Sequence, residues 1–171
     1  MEQLIQKCIS KKPKAQNELN HKYAGTMLSM CERYTNTKEE AEEVLMNGFV
    51  KIFCNLETYK AEGSFEGWMR RIFIREAINY RKKHELKWMR LNLLEIDGVE
   101  KNSEYEETEY LLSKLKSLPK GYRTVFNLFA IEGYKHKEIA ELLKIAESTS
   151  KTQFRKAKLM LQKLCKDEYR R

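Results

Sequence analysis

The chain has 171 residues, of which 42% are hydrophobic and 34% charged, a composition of one globular domain or two small ones rather than of a disordered tail. Its 7 Gly and 2 Pro are too few for the turns of a many-stranded barrel or sandwich, which favours an all-α fold. No apolar run could span a bilayer, and the first residues lack the basic and apolar segments of a secretory signal. We therefore expect a cytoplasmic helical protein.

The charge is unevenly distributed along the chain. Lys and Arg number 33 against 25 Asp and Glu, which gives a net charge of +8. An acidic polar segment, residues 92–108 with six acidic residues and one Lys, separates two basic segments. Basic surfaces attract nucleic acid, and a polar acidic stretch between patterned segments is typical of a linker. We predict two small helical domains, residues 1–88 and 109–171, joined by a flexible acidic linker at 89–108.

The cysteines and histidines give no sign of a metal site. They are Cys8, Cys31, Cys54, Cys165, His21, His84 and His136. Their spacing includes no Cys-x-x-Cys pair and no zinc-ligand pattern. We predict buried thiols in a reducing cytoplasm, and neither a metal nor another cofactor.

The N-terminal domain is predicted to begin with two helices over 2–34, broken near Lys12 and Pro13. Thr37 and Glu40 then have the spacing of a capping box, at the start of an amphipathic helix over 38–56. Its apolar residues share one stripe, and its glutamates lie off that stripe. Those glutamates form either an ordinary solvated face or a docking surface for a basic partner.

A loop at 57–64 and a helix capped by Ser64 follow, with the helix predicted to end near residue 83. Its expected core stripe is Phe65, Trp68, Ile72 and Ile78. Its polar residues recur three or four positions apart and form one row, namely Arg71, Arg75, Asn79 and Lys82. A basic helix face with aromatic residues at one end is suited to a phosphate backbone and exposed bases. The alternative is an ordinary solvated face.

The C-terminal domain is predicted to contain four helices, at 110–118, 122–132, 136–143 and 148–165. The last two have the lengths and inward positions of a helix-turn-helix, with Ile139 and Ala157 among the inward residues. The outward residues of the final helix are those expected to contact phosphates and base edges: Ser148, Lys151, Thr152, Arg155 and Lys156. The alternative is a helical hairpin with a basic solvent face.

Two groups of motifs resemble the extracytoplasmic-function (ECF) group of bacterial RNA polymerase sigma factors. Sigma domain 2 is resembled by Glu40-Ala41-Glu42-Glu43-Val44-Leu45, Gly48-Phe49-Val50-Lys51 and the stretch from Gly63 to Ile72. Sigma domain 4 is resembled by Leu118-Pro119, Gly133-Tyr134, the stretch from Lys137 to Leu143, and Ser148-Thr149-Ser150-Lys151-Thr152. Departures from the usual family residues occur at Met46, Asn47, Arg75, Lys144, Ala146 and Ser150.

This resemblance implies a role for each surface. Helix 38–56 would dock on the clamp helices of the polymerase's largest subunit, through Glu40, Glu43, Asn47 and Lys51. The minus-10 element would be held by Tyr59, Ser64, Trp68, Arg71, Arg75, Asn79 and Lys82. The final helix would read the minus-35 element, and its domain would touch the flap of the second-largest subunit. The resemblance also implies an anti-sigma factor, often membrane-bound, and neither a small-molecule substrate nor catalytic residues.

Two other classes of protein fit parts of the sequence. A stand-alone helix-turn-helix regulator accounts for residues 110–171 but leaves the two N-terminal helices unexplained. A nuclease would need converging carboxylates or histidines, whereas Glu39, Glu40, Glu42 and Glu43 are spread around their helix. The sigma-factor reading is therefore favoured.

Overall fold

The computed structural model describes the backbone of residues 1–91 and 107–166, and the side chains of residues 1–84 and 109–165. Within these ranges the chain forms helices and turns and no strand, so the predicted all-α fold is confirmed. The chain divides into two compact units, Met1–Glu95 and Ile96–Arg171. Most of the predicted linker lies outside the described residues, but its first three residues, 89–91, and its last two, 107 and 108, are helical.

The first unit is built around three helices that pack on one another. Its helices are α1 (Glu2–Ile9), α2 (Pro13–Glu32), α3 (Lys38–Asn55) and α4 (Phe65–Leu91). The helices α2, α3 and α4 contact each other pairwise, while α1 packs against α2 and against the 3-10 turn Leu56–Thr58 that follows α3. The predicted break before Pro13 and the predicted start of α3 are both observed.

Side-chain caps fix the beginnings of α3 and α4. Thr37 Oγ1 accepts a hydrogen bond from the Glu40 amide at 3.2 Å, as a capping box requires. The Glu40 carboxylate, however, accepts from the Asn36 amide at 2.8 Å rather than from Thr37. Ser64 Oγ accepts from the Gly67 amide at 3.0 Å and so caps α4 as predicted.

The helix α4 departs from its prediction in length and in its buried face. It continues to Leu91 instead of ending near residue 83. Trp68 and Ile72 are only half-buried, which corrects two of the four predicted core positions. The buried apolar residues are Phe65, Met69, Phe73, Ile74, Ala77, Ile78 and Tyr80. The difference arises because α4 packs against both α2 and α3, so its buried face is broader than a single stripe.

Three of the contacts that join α3 to α4 are called here the α3–α4 seam. At one end the Tyr80 hydroxyl donates to Glu43 Oε2 at 3.1 Å. At the other end Lys51 pairs with Glu76, a glutamate that is only 9% exposed. Between these two contacts along α3, Gly48 lies so close to Phe73 of α4 that a Cβ at this position would overlap the Phe73 ring.

The second unit contains the predicted helices with small shifts at their ends. They are α5 (Glu107–Lys116), α6 (Lys120–Phe126), α7 (His136–Leu143) and α8 (Glu147–Lys166). A π-helical turn, Asn127–Ile131, continues α6, so the predicted helix over 122–132 corresponds to these two segments together. Gly133 then adopts φ +76° and ends the segment as expected.

Lys144 ends α7 in a conformation that favours glycine. It adopts φ 58° and ψ 48°, and its amide bonds back to the Ala140 carbonyl. A side chain is disfavoured in this left-handed region by about 1–2 kcal/mol, which glycine avoids. We expect Lys144→Gly to raise the free energy of unfolding by about 0.5–1 kcal/mol in urea titrations, after its larger unfolded-state entropy is included. The matched control Lys137→Gly, inside α7, should lower the free energy of unfolding. A lower free energy of unfolding in both variants would contradict the prediction.

The cysteines differ in exposure more than the sequence predicts. Cys8 and Cys31 are buried as expected, but Cys54 is exposed and Cys165 only partly buried. All four are free thiols. Cys54 is exposed because it lies in the last turn of α3, off the face that packs on α2 and α4.

The stability of the first unit is expected to fall at alkaline pH through Cys31. Burial raises the pKa of its thiol to about 12, whereas a thiol in an unfolded chain ionises near pH 8.5. Between these values only the unfolded state loses the proton, so stabilisation present at neutral pH is lost as the pH rises. Urea titrations at pH 8, 9 and 10 should show a loss of about 1 kcal/mol per pH unit above pH 9, relative to Cys31→Ala. If the free energy of unfolding fell equally with pH in the wild type and in Cys31→Ala, the pH dependence would not come from Cys31.

The described residues offer neither a membrane-spanning helix nor a metal-binding cluster. No helix there is long and apolar enough to cross a membrane. No group of three or more His, Cys, Asp or Glu side chains in those ranges is placed to hold a metal ion.

Candidate nucleic-acid interface

An aromatic cluster lies at the start of α4. The ring centroid of Phe65 lies 5.1 Å from that of Tyr59 and 5.6 Å from that of Trp68, and the centroids of Tyr59 and Trp68 are 5.4 Å apart. Tyr23 of α2 packs edge-on against Phe65 at 6.1 Å. Phe65 is buried, while Tyr59 and Trp68 are half-buried. Their outer faces therefore remain available for stacking, the interaction that holds unpaired bases.

The loop before α4 has a defined shape. The Tyr59 hydroxyl donates to the Gly63 carbonyl at 3.0 Å, which closes the loop on itself. Ala61 and Gly63 both adopt positive φ, 57° and 107°. The oxygen of Ser64 is engaged in the cap of α4, so this predicted minus-10 residue has a structural task. A preformed loop loses less conformational entropy when it binds a strand.

The predicted polar row of α4 begins beside this cluster. Arg71, Arg75, Asn79 and Lys82 are all exposed, on a helix whose other side forms the core. Arg70, next to the row, pairs instead with Glu66 at 3.1 Å. Half-exposed rings thus lie at the head of a line of three cationic side chains and one amide.

In the second unit a buried polar contact joins α7 to α8. Ser150 is fully buried, and its hydroxyl lies 2.9 Å from His136 Nδ1. The His136 ring stacks on Phe129 with centroids 4.3 Å apart, and Phe129 contacts Phe154 at 4.5 Å. The pairing explains how a hydroxyl is accommodated at a buried position for which the resemblance implies an apolar residue, because a buried polar group requires a partner. The pair fixes α8 against the helix that precedes it.

The outward face of α8 carries the predicted minus-35 residues, all of them exposed: Ser148, Lys151, Thr152, Arg155 and Lys156. Lys151 pairs with Glu147 at 2.7 Å, and this hydrogen bond lowers the pKa of the Glu147 carboxyl. The structure therefore places all five predicted minus-35 residues on the exposed side of α8.

An open cleft of about 330 Å³ lies beside this face, lined by Tyr122, Ser148, Thr149, Thr152, Gln153 and Lys156. Three of these residues were not predicted. Thr149 and Gln153 share the helical spacing of Lys156 and could have been found from the pattern of α8. Tyr122 comes from α6, and no local signal in the sequence places it there.

The predicted polymerase-docking residues of α3 have partners within the chain. Glu40 accepts from the Asn36 amide, Glu43 from Tyr80, and Lys51 pairs with Glu76. Burial and then the hydrogen bond to Glu43 raise the pKa of Tyr80 to about 12. Asn47, the fourth predicted residue, is half-buried.

Two apolar side chains of α3 are exposed where the sequence prediction named only charged or polar ones. Met46 is 66% and Val50 is 56% exposed. They lie four residues apart and so share one face of the helix. Val50 was missed because an isolated valine beside a core stripe carries no distinguishing signal.

The fold and these surfaces define a helical DNA-binding protein with two units, the second of them a helix-turn-helix. The family model for Sigma-70 region 2 matches residues 19–86, and that for Sigma-70 region 4 matches residues 108–161. The chain belongs to the ECF group of the sigma-70 family of RNA polymerase sigma factors. It binds core RNA polymerase and directs promoter-specific transcription initiation.

Curated relatives and solved structures agree with this assignment. RNA polymerase sigma factor SigV of Bacillus subtilis is 28% identical over 137 residues, which cover 79% of this chain and 82% of SigV. The ECF RNA polymerase sigma factor SigW of the same organism is 24% identical, with 98% and 100% coverage. The fold resembles that of the sigma factor RpoE from Bartonella quintana, solved with the anti-sigma factor NepR, at a TM-score of 0.64, 16% identity, and 88% and 96% coverage. It also resembles CnrH, solved with the cytosolic domain of CnrY, at a TM-score of 0.55, 18% identity, and 96% coverage of both chains.

Proposed function

We propose that the N-terminal domain captures the minus-10 element through the aromatic cluster and the polar row of α4. The observation that carries this proposal is the pair of half-buried rings, Tyr59 and Trp68, at the head of four exposed polar side chains. Unpaired non-template bases stack on the rings while the row holds the backbone. In this proposal residues 1–88 form the first domain, residues 89–108 form the linker, and residues 109–171 form the second domain.

The second domain reads the minus-35 element through α8. The N-terminal half of that helix enters the major groove, where Arg155 and its neighbours contact bases and phosphates. The helix α3 docks on the clamp helices of the polymerase's largest subunit, and the second domain touches the flap of the second-largest subunit. The chain contributes recognition and strand capture, and the polymerase performs the chemistry, as expected of a family that is not a class of enzymes.

An anti-sigma factor is part of the proposal. Both RpoE and CnrH were solved as complexes, RpoE with an anti-sigma factor and CnrH with the cytosolic domain of CnrY. We propose that such a protein holds this chain inactive in the cytoplasm, at the inner membrane where the anti-sigma factor is itself membrane-bound.

A transcription assay tests the assignment of the surfaces. Purified core polymerase is supplied with a pool of genomic promoter fragments, with and without this protein. We expect new discrete transcripts, which charge reversal in Arg75→Glu or Arg155→Glu abolishes. Lys163→Glu makes the same charge change at an exposed position outside these surfaces and should retain the transcripts.

Two results would contradict the proposal. Undiminished transcripts from the Arg75 and Arg155 variants would remove those residues from promoter recognition. No transcripts and no core binding, with tight binding to one promoter duplex, would favour the stand-alone regulator.

A further inference from the structure

Four exposed lysines surround the turn between α1 and α2. They are Lys7, Lys11, Lys12 and Lys14, and we call them the lysine turn. Between Glu2 and Glu18 the sequence contains no acidic residue. Four ammonium groups within eight residues therefore form a basic patch, and the first acidic residue that follows it is Glu18, one helical turn after Lys14.

The backbone of the lysine turn is held in one conformation. The Lys11 amide bonds to the Cys8 carbonyl at 2.9 Å and the Lys12 amide to the Lys7 carbonyl at 3.1 Å. Lys11 adopts φ 54°, and Pro13, two residues further on, begins α2. Buried side chains on both sides, Cys8 and Ala15, anchor the turn to the core. The lysines are thus presented from a fixed support, which lowers the entropic cost of binding an anion.

The helix α1, which ends at the lysine turn, packs against the segment that leads into the loop before α4. The helix lies against the 3-10 turn Leu56–Thr58, which leads directly into Tyr59. With eight residues, α1 is only about 12 Å long. A DNA strand carries a phosphate about every 3.4 Å in a duplex and is more extended when single. About three or four nucleotides therefore cover the distance from one end of α1 to the other.

We propose that the lysine turn binds the sugar–phosphate backbone of single-stranded promoter DNA that flanks the bases held at the Tyr59 loop. This inference rests on the proposed role of the loop and adds a contact outside the surfaces assigned above. Nucleic acid is favoured over an acidic protein surface because α1, the helix that ends in the patch, packs against the turn that leads into the aromatic cluster. Binding releases counterions from the strand, so the contact is sensitive to salt.

The test measures the salt dependence of DNA binding by the holoenzyme. A fork probe carries the non-template strand of a promoter found in the transcription assay, single-stranded across the minus-10 element. The short probe ends with that element, and the long probe continues for about six nucleotides, enough to span the length of α1. The variant carries Lys7→Gln, Lys12→Gln and Lys14→Gln, while Lys11 is kept because of its positive φ.

We expect the variant to match the wild type on the short probe. On the long probe, the slope of log affinity against log salt should be less steep by about 2, because three single-strand phosphate contacts are lost. A control with Lys137→Gln, Lys158→Gln and Lys163→Gln removes the same charge from exposed positions of the second unit. This control variant should have the wild-type salt slope on both the short and the long probe.

Other results overturn the inference. Equal slopes for variant and wild type on the long probe would show that the lysines do not contact the strand. An equal loss in the control would assign the effect to net charge, and lost affinity for core polymerase with an unchanged DNA slope would assign the patch to the polymerase. Failure of the wild-type holoenzyme to bind the short probe would instead overturn the role of the loop, and the inference with it.

Discussion

Replacing Gly48 with Ala is expected to lower the free energy of unfolding of the first unit by about 1–3 kcal/mol. A methyl group there would overlap three ring carbons of Phe73, in the middle of the α3–α4 seam. Phe73 is fully buried and packs edge-on against Phe49 at 5.3 Å, so its ring has little room to move. The overlap outweighs the better helix propensity of Ala, which is worth about 1 kcal/mol.

The chain offers a matched control for this substitution. Gly25 lies in α2, and nothing would lie within 4 Å of a Cβ there. Gly25→Ala should therefore raise stability by about 0.5–1 kcal/mol. Thermal and urea unfolding of both variants would check the pair, and a stabilised Gly48→Ala protein would show that the helices do not approach as described.

Replacing Met46 with Glu is expected to weaken binding to core polymerase about tenfold or more, with little change in the melting temperature. Met46 and Val50 are the exposed apolar pair of α3, and apolar groups buried at the centre of an interface contribute most to its affinity. A tenfold loss corresponds to about 1.4 kcal/mol. Thr26→Glu, at an exposed position of α2, adds the same charge and should bind core normally.

The charged residues of α3 should behave differently from this pair. Lys51→Met leaves the carboxylate of Glu76 nearly buried without its cation, and the loss of such a partner destabilises a fold by about 1–3 kcal/mol. We expect Lys51→Met to lower the stability of the fold and Met46→Glu to leave it unchanged. Stability would be measured by thermal unfolding, and affinity for core polymerase by titration of the same variants. Full core binding by Met46→Glu would exclude the apolar pair from the interface.

The helix boundaries could be predicted where local chemistry sets them. Thr37 and Ser64 begin their helices through side-chain caps, and Pro13 begins α2, because each effect depends on neighbours within four residues. The helix α7 has the predicted limits, His136–Leu143, for the same reason. The outward positions of α8 follow from helical spacing alone.

Contacts between distant segments could not be predicted in this way. The half-exposure of Trp68 depends on Tyr59 across a loop, and the burial of Ser150 depends on His136 from another helix. The partners of Glu43 and Lys51 lie 37 and 25 residues further along the chain. A single sequence shows which residues are charged, but it does not show which of them the fold has already paired.

The α3–α4 seam also has a consequence for the geometry of the initiation complex. One of its helices carries the apolar pair proposed to touch the enzyme, and the other carries the row proposed to hold the melted strand. Their separation is set by a glycine contact and two polar contacts inside the protein. The register between polymerase and opened DNA is therefore a property of the packing within one domain, and a substitution in the seam alters alignment as well as affinity.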